Sequence, residues 1–237
     1  MRLVGRLRGL FAILLSVLAI ILALVGGYFL AEYLVPKPKI GVIEFSQTIG
    51  ERSAADLLTM LQYVHGRPDI KAVVIVIDSP GGEATASEEL YMYTLRIRQT
   101  KPVVASINHM GASGAYYLAV AANFIYAKPA SFVGSIGVLS DAPDPPELDE
   151  DTISTGPFKG TGSPRENYAR QMELLKEGFA SQVLSQRGDR LKVGQDVLTT
   201  GEVFVGLESL RMGLIDDIGS CAQALEKASQ LAGLRKY

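Results

Sequence analysis

The chain has 237 residues, 48% of them hydrophobic, and a formal net charge of −2. That size holds one domain with a substantial core and something more, and without a basic tract the charge offers nothing to nucleic acid. A single cysteine, Cys221, rules out an intrachain disulfide and a cysteine zinc site, and two histidines, His65 and His109, leave little for a His-based metal centre.

Leu10 to Ala31 contains no charged residue. Its length suffices to cross the hydrocarbon core as a helix. It exceeds the apolar region of a secretory signal, and no small-x-small cleavage site follows, so residues 1–35 are expected to be a short N-terminus and an uncleaved anchor. Arg2, Arg6 and Arg8 flank one side, against Glu32, Lys37 and Lys39 on the other. The positive-inside rule then predicts a single-pass protein of the cell membrane. Its N-terminus is cytoplasmic, the remainder lies outside, and lipid surrounds residues 10–31. Pro36 and Pro38 stiffen a linker, 36–39.

Residues 40–237 are expected to form one folded α/β domain. Ile40–Phe45 reads as a short strand. Ser53 is placed to cap a helix running to about His65, with Ala54, Leu57, Leu58, Leu61 and Val64 on one face. Ala72–Ile77 is an unbroken apolar run rich in β-branched residues, suited to a parallel strand buried on both faces. Asp78–Gly82 is a turn before a helix from Ala84 to Arg98. Then come the strand Val103–Ile107, the turn Asn108–Gly114, an alanine-rich helix to Ala122 and the strand Phe124–Ala127. Strand alternating with helix predicts repeated βαβ units. Asp141 to Asp151 is acidic and proline-rich, as an exposed loop would be. Pro164 suits the first helical position after Ser163, opening a long helix to about Gln186. Glycine turns and short helices fill Thr199–Asp216, and Ala222–Leu231 closes the chain.

In open α/β sheets, sites lie at the carboxyl ends of strands. Two glycine turns fall there, Pro80-Gly81-Gly82 and Gly111 to Gly114. Ser113, at a strand-to-helix turn, is either a helix cap or a nucleophile with backbone donors already beside it. A nucleophilic serine needs a base. His109 lies four residues earlier with nothing to fix its direction. Asp78 ends the buried strand and suits a hydrogen bond to backbone amides. A lysine serves only if burial or a neighbouring cation lowers the ordinary ammonium pKa of about 10.4. Lys159, flanked by Gly156, Pro157, Phe158, Gly160 and Gly162 without an adjacent acid, fits that role or that of a solvated loop lysine.

Four motifs in order resemble those of the signal peptide peptidase A family. They are Asp78-Ser79-Pro80-Gly81-Gly82, Gly111-Ala112-Ser113-Gly114-Ala115-Tyr116-Tyr117, Gly134-Ser135-Ile136-Gly137-Val138, and Gly156-Pro157-Phe158-Lys159 with Ser163-Pro164. That family consists of membrane-anchored Ser–Lys peptidases of the Clp protease/crotonase fold. The resemblance spans roughly Ile40 to Asp216 and makes 40–237 a peptidase domain. It implies Ser113 as nucleophile, Lys159 as general base, Ser135 as an auxiliary hydroxyl on the lysine amine, and the Gly81 and Gly114 amides as oxyanion hole. It implies no metal or cofactor. Its expected partners are peptide substrates, remnant signal peptides or other membrane-derived peptides, and further copies of the chain in a homo-oligomer whose neighbours share the dyad. The chain departs from the family pattern at Ala115, where a second glycine is usual, at Gly160, and in the short acidic stretch between Val138 and Ile153. Three rivals stand beside this reading. One is a stomatin-operon type of anchored peptidase on the same fold, another a crotonase-like acyl-CoA enzyme, and the third a non-catalytic membrane scaffold.

Overall fold

A computed structural model describes residues 2–34, 37–141, 151 and 153–234. The chain divides into two units, Met1–Pro38 and Lys39–Tyr237. The first is helix α1, Arg2–Leu34. Within it Phe11–Ala31 has mean hydropathy 2.7 and no buried residue, so this helix is long and apolar enough to cross a membrane.

In the second unit, strands and crossover helices alternate as the sequence pattern requires. The order is β1 (Lys39–Phe45), α2 (Glu51–Gly66), β2 (Ile70–Ser79), α3 (Ala84–Arg98), β3 (Val103–Ala112), α4 (Gly114–Val120) and β4 (Phe124–Ala127). Next come β5 (Phe132–Gly134), α5 (Arg165–Arg187), α6 (Gln195–Leu198), β6 (Val203–Val205), α7 (Gly206–Met212), β7 (Asp217–Ile218) and α8 (Cys221–Leu231). The main sheet is parallel in the order β1-β2-β3-β4-β7. Alternate residues of β2 enter two different cores. Val73, Ile75 and Ile77 pack with α2, α3 and α4, whereas Ala72 and Val74 pack with Ala224 and Ala228 of α8. Burial on both faces is why the strand reads as a continuous apolar run, and each such valine or isoleucine contributes about 1.5–3 kcal/mol.

The centre of the sheet splits where the site forms. β3 pairs with β4 from Val104 to Ile107, then with β5 from Met110 to Ala112. β5 in turn pairs antiparallel with β6. Against β2, Ile77 opposes Ile107 but Ser79 opposes Gly111, so β3 carries two extra residues there. The Asp78 carboxylate accepts the Met110 amide at 3.2 Å across this irregularity.

Several boundaries differ from the sequence expectation. β3 continues five residues past Ile107, because pairing to β5 overrides the turn character of Asn108 and Gly111. α2 begins at Glu51, so Ser53 is its third residue and not its cap; its hydroxyl accepts the Gly50 amide at 2.9 Å and donates to the Thr48 carbonyl at 2.7 Å. Pro164 is the cap of α5, one position outside the first turn. β6 is a strand where only turns and short helices were expected, and β7 falls on residues for which no element was expected. Of the expected acidic loop, residues 142–150 lie outside the described residues, as does Pro36 of the linker.

Candidate active site

Ser113 sits between the last residue of β3 and the first of α4. Its backbone has φ 53° and ψ −128°, and its side chain makes no capping hydrogen bond. Ser113 thus holds the N-cap position of α4 without capping it through its hydroxyl. Its amide donates to the Gly134 carbonyl at 2.8 Å and its carbonyl accepts the Tyr117 amide at 3.0 Å, so core elements hold the strained turn from both sides. Among the described residues only two non-glycines have positive φ, Ser113 and Ser135, both at 53°. Each such conformation costs about 1–3 kcal/mol, and such strain clusters at functional sites.

Ser113, Ser135, Gly81 and Gly114 line one cavity of about 970 Å³. Gly81 has φ 94°, and a Cβ there would lie 2.6 Å from the Gly114 nitrogen and 2.8 Å from Ser113 Cβ. The Gly81 backbone thus presses against the nucleophile turn at a distance only glycine permits. A Cβ on Gly114 would meet Ser87 Oγ at 2.1 Å. The Gly114 amide opens α4 and lies outside the helical ladder. The Gly81 amide donates to the buried Ser79 hydroxyl at a long 3.2 Å. Two amides beside one serine are the arrangement that stabilises a developing oxyanion.

The cavity's far wall comes from α5, which the sequence reading did not assign to the site. Tyr91, Tyr117 and Phe179 form an aromatic column with ring centroids 4.5 and 4.7 Å apart. The Tyr91 hydroxyl donates to Gln182 Oε1 at 2.7 Å, and Gln182 and Phe179 both line the cavity. Burial, then the charges of Glu88 and Tyr91, push the Tyr117 phenol up to about 12, so it stays neutral at physiological pH. Leu139, Leu174 and Leu175 add exposed apolar surface to the cavity, and Lys176 adds a cation paired with Glu173 at 2.6 Å. The one sequence signal for this wall was the adjacent pair Leu174-Leu175, exposed in an amphipathic helix whose buried side carries Phe179, Ala180 and Val183.

The expected base stands apart. Lys159 is exposed, in a turn where its amide donates to the Gly156 carbonyl and its carbonyl accepts the Ser154 hydroxyl. No described residue from Ile153 to Lys159 lines the cavity. His109 is also exposed and lies edge-on to Phe132, away from the cavity lining. Among the described residues no cluster of three His, Cys, Asp or Glu is placed to hold a metal.

Residues 96–235, more than half of the chain, match Peptidase family S49. The chain belongs to this peptidase family. It is 31% identical to Protease 4 of Haemophilus influenzae over 87% of its own length and 37% of the relative's. A putative protease of Methanocaldococcus jannaschii is 30% identical over 78% of this chain and 63% of its own. The chloroplastic serine protease SPPA of Arabidopsis thaliana is 31% identical over 76% of this chain and 29% of its own. The chain thus spans less than two thirds of each of these relatives. Together these matches place the S49 chain in the signal peptide peptidase A family, with a domain of the Clp protease/crotonase kind.

Proposed function

We propose that the S49 chain is a membrane-bound serine endopeptidase acting through an acyl-enzyme. The supporting observation is Ser113 itself, strained, free of any capping bond, and set at the cavity between the Gly81 and Gly114 amides. Ser113 Oγ attacks the peptide carbonyl, and neutral Lys159 takes its proton. The two glycine amides hold the oxyanion; Gly81 turns its N–H from Ser79 toward it. The lysinium then protonates the leaving amine, and water hydrolyses the ester by the reverse roles. Ser135 accepts from the lysine amine and orients it. The apolar wall of Tyr117, Leu174, Leu175 and Phe179 favours apolar side chains beside the cut, which suits remnant signal peptides and other membrane-derived peptides.

A lysine must reach Ser113, and Lys159 of the same chain lies in an exposed turn away from the cavity. In our reading a neighbouring copy delivers it, in a homo-oligomer carried by the Phe11–Ala31 helix with its N-terminus in the cytoplasm. The same exposure of Lys159 favours a second reading, a non-catalytic scaffold.

Fluorophosphonate labelling of the full chain in mild detergent, mapped by mass spectrometry, separates the two. Label on Ser113 that disappears in Ser113→Ala and in Lys159→Ala supports the peptidase. Folded oligomers that take no label support the scaffold, and label surviving in Lys159→Ala moves the base to another residue.

A further inference from the structure

Charge is segregated along the crossover helices. The carboxylates of α2, Glu51 and Asp56, and those of α3, Glu88 and Glu89, all lie toward the helix N-termini, at the cavity end of the sheet. The opposite end collects cations. Arg67 and Lys71 follow α2, Arg96 and Arg98 lie in the last turn of α3, Lys101 follows it, and Lys39 begins β1.

The cluster is held together by contacts. Asp69 pairs with Lys39 at 3.1 Å and Arg67 at 2.9 Å. Lys101 Nζ donates to the carbonyls of Val64, His65 and Arg67 at 2.7, 2.9 and 2.6 Å, capping α2. Arg67 lies 5.6 Å over the Tyr63 ring and Arg96 5.9 Å over Tyr93. Lys71 and Arg96 are exposed, and among the described residues neither has a carboxylate partner. Around them Tyr63, Met60 and Met92 expose 61%, 46% and 56% of their surface. Cations interleaved with amphipathic and apolar tips suit a headgroup layer.

This end is also where the chain enters the domain. Residues 35–38 alone separate Leu34 from Lys39, and such a segment reaches at most about 18 Å. We propose that this face docks on a bilayer surface containing anionic phospholipid, with Lys39, Lys71 and Arg96 on headgroup phosphates and Tyr63, Met60 and Met92 at the interface. The proposal rests on Phe11–Ala31 spanning a membrane, not on peptidase activity. Each exposed cation favours the docked state about fivefold.

The test reconstitutes the full chain, with Cys221→Ser, in vesicles of phosphatidylcholine alone or with about 30% phosphatidylglycerol. A nitroxide is attached through Met92→Cys, or through Leu174→Cys at the cavity as a control. Flotation reports insertion, and relaxation by a water-soluble nickel complex reports exposure. The expected result is about a tenfold loss of exposure at Met92, only with phosphatidylglycerol, reversed by about 0.5 M salt. Lys71→Glu with Arg96→Glu should reduce the docked preference by about 30-fold or more. Equal exposure in both vesicles overturns the docking, and the same loss in detergent assigns the face to a second copy. Failure to float overturns the membrane span and the docking together.

Discussion

Ser113 and Lys159 belong to two differently built regions. The serine turn is enclosed by β2, β3, β5 and α4, bonded at both ends, and packed so closely that glycine is required at Gly81 and Gly114. The Lys159 turn is exposed and held by local bonds such as that from the Ser154 hydroxyl to the Lys159 carbonyl. One half of the proposed dyad is fixed by the core, and the other sits in an exposed turn held only locally. A serine built this way cannot be moved without disturbing the fold, whereas in the proposed arrangement its base would be withheld until subunits assemble.

The contrast breaks most sharply by exchanging subunits. Ser113→Ala and Lys159→Ala should each lower kcat by roughly 10⁴-fold or more. Lys159→Ala, being exposed, should leave thermal stability within about 0.5 kcal/mol. Co-assembled variants should recover about a quarter of wild-type activity by random pairing of neighbours; mixtures that stay inactive place both residues in one subunit. Gly81→Ala strikes the fixed half, where a Cβ meets the Gly114 nitrogen. A loss of about 10²–10³ in kcat is expected, with a melting drop worth about 1–3 kcal/mol, and normal activity would remove Gly81 from the oxyanion hole.

Stability alone should fall in Asp216→Asn. Asp216 receives Arg187, whose side chain is 2% exposed, together with the Ile125 amide, and a buried cation left without its partner costs about 3–5 kcal/mol. Denaturant unfolding checks this, and a change under 1 kcal/mol would contradict the burial argument. The smallest effect lies at Asp69, whose carboxyl is held well below its usual range, first by the Arg67 hydrogen bond and then by Lys39. A depressed pKa contributes stability above about pH 4 that is lost as the pH falls further. Asp69→Asn should flatten that acid limb of a melting-temperature profile while the neutral limb changes little.

Much of the fixed half was legible. The helix Ala84–Arg98 and the strand Phe124–Ala127 follow from periodicity and bounding turns, and the glycines around Ser113 signalled a crowded turn. β6 and β7, three and two residues long, are too short to carry a period, and the length of β3 depends on pairing to β5, which local sequence does not encode. The α5 wall was hidden because Leu174, Leu175 and Lys176 read as an ordinary amphipathic helix until tertiary packing placed them. Lys159 resists for a different reason, since its glycine-flanked, exposed turn carries no pattern that says where it lies relative to the cavity.

The ten residues of β2 connect two ends of the domain, Ile70 opposite Lys39 and Ser79 against the Gly81 amide. At about 3.3 Å per residue that is a span of roughly 30 Å. The strand acts as a ruler. For a domain resting on its tethered end, a polypeptide still rooted in lipid must offer roughly nine extended residues before a bond reaches Ser113. In that docked arrangement, segments with shorter free ends would stay out of range until they left the bilayer, and the length of one buried strand would set the threshold between released and resident peptides.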